Sequence, residues 1–157
     1  MIGISLFAQE EFVLDMTKRS DSWLKLIHVV DAVEAELGRI LQEQHALGLS
    51  DYRALQILSR SPDSELRMQE LAMHLCLNQS SVSRMVERLE RSGLTVRDLC
   101  PDDKRGVYTV LTDKGRLRLE SALPDYEAAL DVALREHGCE QLLSAKLASP
   151  RQDIFRH

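Results

Sequence analysis

Between Met68 and Leu111 the spacing of apolar residues changes period once, and that change restricts the architectures open to the chain. Leu71, Ala72 and Leu75 keep the three-and-four spacing of a short helix covering Met68 to about Leu75. Three or four residues later Asn78 is placed to cap a second helix from Gln79 to about Ser92, with Val82, Met85, Val86 and Leu89 turned inward. Gly93 suits the left-handed position that closes such a helix. From there the pattern alternates: Leu94, Val96 and Asp98 begin a period of two, and Val107–Leu111 is rich in β-branched and aromatic residues. The segment between them, Cys100-Pro101-Asp102-Asp103-Lys104-Arg105-Gly106, is a polar turn with Pro and Gly. Helix, three-residue turn, helix and charged hairpin therefore follow one another within 44 residues (68–111).

The flanks are helical. From Ser22 to Gln44, Leu26, Val30, Val33, Leu37 and Ile40 step by fours and threes, a narrow heptad-like seam that Gly48 closes. Ser50 is the expected N-cap of the next helix, which carries Tyr52, Leu55, Ile57 and Leu58, and Ser61-Pro62-Asp63-Ser64 breaks it. Thr112 caps a long helix with Leu119, Leu123, Tyr126, Leu130 and Ala133 in the same stepping. Pro124 is expected to kink or split it, since an interior proline costs about 3 kcal/mol. Beyond Gly138, Leu142, Leu143 and Leu147 suggest one short helix, and the chain frays from Ser149. The fold class is mainly α (α+β): a winged helix-turn-helix at 49–112 between terminal segments, 1–48 and 113–157, that form a dimerisation region of one compact protomer. The two seams exceed what one small winged domain needs to cover its core, which predicts a homodimer.

Composition narrows the function. A length of 157 residues allows one domain, and 44% apolar residues describe an ordinary globular chain. No run approaches the roughly 20 apolar residues that span a membrane. The amino terminus lacks the basic start and apolar core of a secretory signal, so a cytoplasmic location without membrane association is expected. Cys76, Cys100 and Cys139 are too scattered for a disulfide framework or a paired zinc motif, and the five histidines form no ligand cluster beyond a bare His74-x-Cys76. There is no phosphate-cradling glycine motif, and Ser80, Ser81 and Ser83 have no activating base in the sequence. No enzymatic activity, metal or cofactor is expected.

The net charge of −5 conceals an asymmetry. Between Gln79 and Arg118 nine basic residues stand against six acidic ones, while the remainder carries eleven against nineteen. Polyanion binding follows the local field, so a DNA surface is permitted there. The second helix begins Asn78-Gln79-Ser80-Ser81-Val82-Ser83-Arg84. An α-helix fits the major groove and meets base edges and phosphates with its amino-terminal turn. Gln79, Ser80, Ser81, Ser83, Arg84 and, one turn on, Arg88 are the candidate contacts. At the hairpin tip Lys104 and Arg105 can follow the backbone or enter the minor groove, with the Asp103 carboxylate holding the arginine in place. The same residues also describe a capped, solvated helix and a charged turn. A degenerate winged domain that binds another protein through this face is the competing reading.

The ordered pieces Leu49–Leu55, Met68–Ala72, Gln79–Leu94 and Asp103–Gly115 resemble the MarR family of bacterial transcription regulators over about 65 residues. The resemblance implies a homodimer of triangular, mostly helical shape. It also implies a pseudo-palindromic double-stranded DNA operator, usually repression of a nearby promoter, and release by a small aromatic effector or by thiol oxidation. Trp23 and Tyr52 are the candidate effector-binding residues, lining a pocket between the dimerisation and DNA-binding parts, or else anchoring the helix junction. Cys100, beside the wing, is the candidate redox switch, whereas Cys76 in the interhelical turn is expected to be a small core residue.

Overall fold

The computed structural model describes residues 5–99 and 107–139. A long helix, α1 (Ser5–His45), leads into α2 (Leu49–Arg60), then a 3₁₀ turn at Pro62–Ser64 and a short strand, β1 (Glu65–Arg67). The pair α3 (Met68–Leu75) and α4 (Gln79–Arg91) follows, then strands β2 (Thr95–Leu99) and β3 (Val107–Leu111), and α5 (Asp113–Glu136). The three strands form one antiparallel sheet in the order β1-β3-β2. This is the mainly helical winged architecture expected from the change of period.

Helix α1 starts well before the expected Ser22, because Ser5 to His45 contains one glycine, Gly38, and no proline. Its end also differs from expectation. Ala46 takes the left-handed turn (φ 51°), and the Leu47 N–H closes back on the Leu41 carbonyl at 3.2 Å, with both leucines buried. Gly48 is extended and caps α2 (φ −73°, ψ 154°), so the cap is Gly48 rather than Ser50. Asn78 caps α4 as expected, its side chain accepting from the Ser81 N–H at 2.9 Å. Gly93 (φ 72°) closes α4: its N–H reaches the Glu90 carbonyl and the Leu94 N–H the Leu89 carbonyl, both at 2.9 Å. Cys76 occupies the equivalent left-handed position after α3 (φ 53°) and is exposed, which corrects the expectation of a core residue.

The main core joins α2, α3 and α4 to the sheet and α5. Leu55, Leu58, Leu71, Val82, Val86 and Met85 are all at most 1% exposed. Burying each such side chain contributes about 1.5–3 kcal/mol. A smaller cluster, Val33, Leu37 and Ala133, joins α1 to α5. Helix α5 runs unbroken through Pro124. Buried Leu119 and Ala122 on one side of the proline and Ala133 on the other dock the helix, and this packing outweighs the lost hydrogen bond. The Thr112 hydroxyl donates to the Gly93 carbonyl (2.7 Å) and accepts the Gly115 N–H (3.0 Å), joining the end of α4 to the start of α5. The short helix expected around Leu142, Leu143 and Leu147 lies outside the described residues.

Candidate nucleic-acid interface

On α4 the buried positions 82, 85, 86 and 89 fix which side faces outward. At 100° per residue the opposite ridge is Ser80, Arg84, Glu87 and Arg91, all exposed. Gln79 (exposed) and Ser83 (half-buried) flank it on one side, Ser81 (half-buried) and Arg88 (exposed) on the other. The Ser80 hydroxyl donates to the Asn78 side chain at 2.8 Å, so cap and ridge share one oxygen. Arg84 lines a cleft of about 310 Å³ with Ser50, Ser81, Met85 and Arg88. The ridge thus opens with a hydroxyl and a guanidinium, groups able to donate and accept at base edges or phosphates.

Besides Ser80, two expected contacts are engaged within the chain. The Ser83 hydroxyl donates to the Met68 sulfur at 3.4 Å and so turns toward α3. Arg88 donates to Asp51 of α2 at 2.8 Å, a partner 37 residues away that no local pattern announces. At the base of the hairpin, Arg97 pairs with Glu90 at 2.9 Å, fastening β2 to α4. Arg67 donates from Nε to the Tyr108 hydroxyl at 2.9 Å, its guanidinium carbon 5.4 Å from the ring centroid. Arg67 did not stand out in the sequence, since β1 is three residues long and its Glu-Leu-Arg alternation is too brief to read as a strand. Lys104, Arg105, Asp103 and Cys100 lie outside the described residues.

Trp23 and Tyr52 occupy different places. Tyr52 is fully buried and stacks on Tyr126, ring centroids 4.4 Å apart and planes 23° from parallel. Burial pushes its phenol up to about 12, reinforced by Tyr126 and Glu127 against the opposing Arg60. Burial likewise raises the Tyr126 phenol. Trp23 is 62% exposed and lines a shallow cleft on α1 with Lys18, Arg19, Ser22 and Leu26. Glu34, which pairs at 2.8 Å with Arg53 on α2, marks the level of the junction. At 1.5 Å per residue that level is about 16 Å along α1 from Trp23. The sequence signal for the stack was Tyr126 itself, which the heptad stepping assigned to the seam. The junction is further tied by His45 Nε2 to Asp125 (2.7 Å) and by Arg118 donating to the His45 carbonyl (2.7 Å).

Comparison with known proteins agrees with this geometry. The MarR family model matches residues 47–107. The regulator YkoM of Bacillus subtilis is 34% identical over 83 residues, 52% of this chain and 52% of that protein, so the match spans about half of each. The homoprotocatechuate degradative operon repressor of Escherichia coli is 30% identical over 105 residues, 66% of this chain and 70% of the repressor. Among solved structures, Sco3205, a MarR family transcriptional regulator from Streptomyces coelicolor in complex with DNA, is 30% identical with a TM-score of 0.71, covering 86% of this chain and 90% of that one. With the helix pair, the three-stranded wing sheet and these similarities together, the chain belongs to the MarR family of transcriptional regulators.

Proposed function

We propose that this chain acts as a homodimeric, sequence-specific DNA-binding repressor of a promoter close to its own gene, released by a small aromatic compound. The observation that carries the DNA contact is the outward ridge of α4, where Ser80 and Arg84 stand exposed beside a capped helix start and Arg88 is braced by Asp51. Sco3205, crystallised with DNA, supports the assignment. Pairing is supported by the apolar side chains that the terminal helices leave exposed: Trp23, Leu24, Leu26 and Val30 on α1, and Leu117, Leu123 and Val132 on α5. Joining them sets the separation of two α4 helices, which must be near one turn of B-DNA, roughly 34 Å, to reach two half-sites on one face.

The repressor sense is supported by the Escherichia coli relative, named for repressing a degradative operon. The effector would act where α1, α2 and α5 meet, the junction at which Tyr52 stacks on Tyr126. Footprinting the purified protein on the DNA beside its own gene tests the reading. A protected, pseudo-palindromic site whose affinity falls steeply with salt supports it. Absence of protection on that DNA and on other promoter fragments refutes it.

A further inference from the structure

We infer that the cleft between α2 and α4 seats a phosphate of the DNA backbone, held by Ser50, Ser81 and Arg88; this rests on the DNA-binding reading above. An α-helix with its side chains is about 10–12 Å across and the major groove of B-DNA about 12 Å wide, so a helix seated there meets a phosphate strand on each flank. On α4 the two flanks differ. The flank that carries Ser83 turns to α3, where the Ser83 hydroxyl donates to the Met68 sulfur at 3.4 Å. The flank that carries Ser81 and Arg88 is open: with Ser50, Leu77, Arg84 and Met85 these residues line a cleft of about 310 Å³. Ser50 is the second residue of α2, an element outside both the helix pair and the hairpin.

The groups in this cleft suit a phosphodiester. Of the three serines that open α4, Ser80 donates its hydroxyl to Asn78 and Ser83 donates to Met68. Among the described residues the Ser81 hydroxyl has no hydrogen-bond partner, and neither has that of Ser50. A serine hydroxyl turns on a short side chain, so committing it to a ligand costs little rotamer freedom. Arg88 gives one N–H to Asp51 at 2.8 Å and keeps others, since a guanidinium carries five. No carboxylate lines the cleft, and Asp51 is not among its walls. Buried Met85 and half-buried Leu77 add apolar surface, against which a hydrogen bond meets less competition from water. Two hydroxyls free to donate and a guanidinium thus face the cleft, and a phosphate presents acceptors to all of them. Arg84 stands at the rim on the exposed ridge, which leaves it to the base edges. A single guanidinium, 51% exposed and sharing its charge with Asp51, holds a free anion weakly. The phosphate is therefore one delivered by a duplex already seated on α4.

Fluorescence-anisotropy titrations at several salt concentrations test this on two duplexes of equal length. One is drawn from the DNA beside the gene and the other is of random sequence. Ser50→Ala is expected to weaken both about tenfold, the worth of one hydrogen bond to a charged group, and to leave the slope of log affinity against log salt unchanged. Ser50→Asp sets a carboxylate beside Arg88, and should weaken both further while reducing that slope by about 0.9. Single uncharged methylphosphonates placed along the gene-proximal duplex locate the contact. At one position in each half-site the wild type should lose affinity and Ser50→Ala should lose no more. Losses that add in full to Ser50→Ala at every position overturn the seat. Inorganic phosphate at millimolar concentration and constant ionic strength should not shift the thermal midpoint of the wild type. A rise seen in the wild type and absent from Ser50→Ala makes a free anion the ligand and overturns the duplex as its source. Arg84→Ala reports on α4 independently. If it weakens the gene-proximal duplex while Ser50→Ala weakens neither, the seat is overturned and the α4 reading stands. A wild-type protein that binds neither duplex overturns both.

Discussion

Asp51 in the first turn of α2 accepts a hydrogen bond from Arg88 near the end of α4 at 2.8 Å, with the carboxylate side chain 14% exposed and the guanidinium 51% exposed. The acid restrains a cation that the proposed DNA surface would otherwise present freely, and adds negative charge close to it. Asp51→Asn is expected to raise affinity for random duplex and to steepen the salt slope, because one cation more becomes available to phosphates. The stability cost should be small, about 0–1 kcal/mol, since a half-exposed pair contributes little. Anisotropy titrations and urea midpoints measure the two effects. An unchanged or weaker random-duplex affinity contradicts the role given to Asp51.

Ser83 and Arg84 are adjacent in sequence and differ in orientation. Ser83 spends its hydroxyl on Met68, and Arg84 stands on the exposed ridge. Arg84→Ala is therefore expected to cost about 1–3 kcal/mol on the specific site, with less effect on random DNA. Ser83→Ala should leave DNA affinity within experimental error and act only on stability. Gel shifts on the footprinted fragment separate the two, and equal losses would contradict the orientation of α4.

Among the glycines of the described residues, Gly115 is the one that the packing most requires. A Cβ there would lie 2.1 Å from the Leu94 carbonyl oxygen and 2.8 Å from a Leu111 methyl. Backbone cannot retreat as a flexible side chain would. Gly115→Ala is expected to destabilise the fold at the upper end of the roughly 1–3 kcal/mol typical of overpacking. Gly38, where an added methyl would meet nothing within 4 Å, is the natural control, and Gly38→Ala should be neutral or stabilising. Thermal or urea unfolding decides between them.

Tyr52 carries a buried hydroxyl with no hydrogen-bond partner among the described residues. Removing an unsatisfied polar atom while keeping the ring should be neutral or stabilise by up to about 1 kcal/mol at pH 7, so Tyr52→Phe tests the burial directly. The same burial predicts a pH effect. With the folded phenol pushed up to about 12 from an ordinary value of 10.0, the folded state keeps a proton between those values that the unfolded chain has lost. Stability is thus fully present below pH 10 and falls as pH rises toward 12. Half-buried Tyr126 is shifted the same way, so the phenylalanine variant should show a shallower decline. Equal declines in the two proteins contradict the shift at Tyr52.

Leu26 and Val30, 45% and 46% exposed, are the seam positions of α1 that the single chain leaves uncovered. Replacing both with glutamate should shift sedimentation from twice 17.8 kDa to the mass of one chain and weaken operator binding. The α2–α4 core does not involve these positions, so helical content should be retained. A wild type that already sediments as one chain contradicts the pairing.

The helix pair and the two long strands were legible because their signals are local: three-and-four spacing to Leu89, a capping Asn78, a closing Gly93, then alternation. The strand β1 was not, since three residues become a strand only by pairing with β3. Ala46 and Cys76 show a second limit. Both adopt left-handed turns usually given to glycine, at a cost of about 1–2 kcal/mol each that tertiary packing absorbs. Pro124 was read from its intrinsic cost, yet contacts between α5 and the rest of the protomer keep the helix continuous. At the candidate interface, residue types and the outward ridge were readable from periodicity. The engagement of Ser83 with Met68 and of Arg88 with Asp51 was not, because those partners lie 15 and 37 residues away.

Only Thr112 separates the last residue of β3 from the first of α5, and its hydroxyl is bonded at once to Gly93 and Gly115. Such a joint has no slack. A tilt of α5 cannot dissipate in a linker and must swing the returning strand with it, so in the proposed dimer the spacing of two DNA-reading units would be geared directly to the angle between the paired helices.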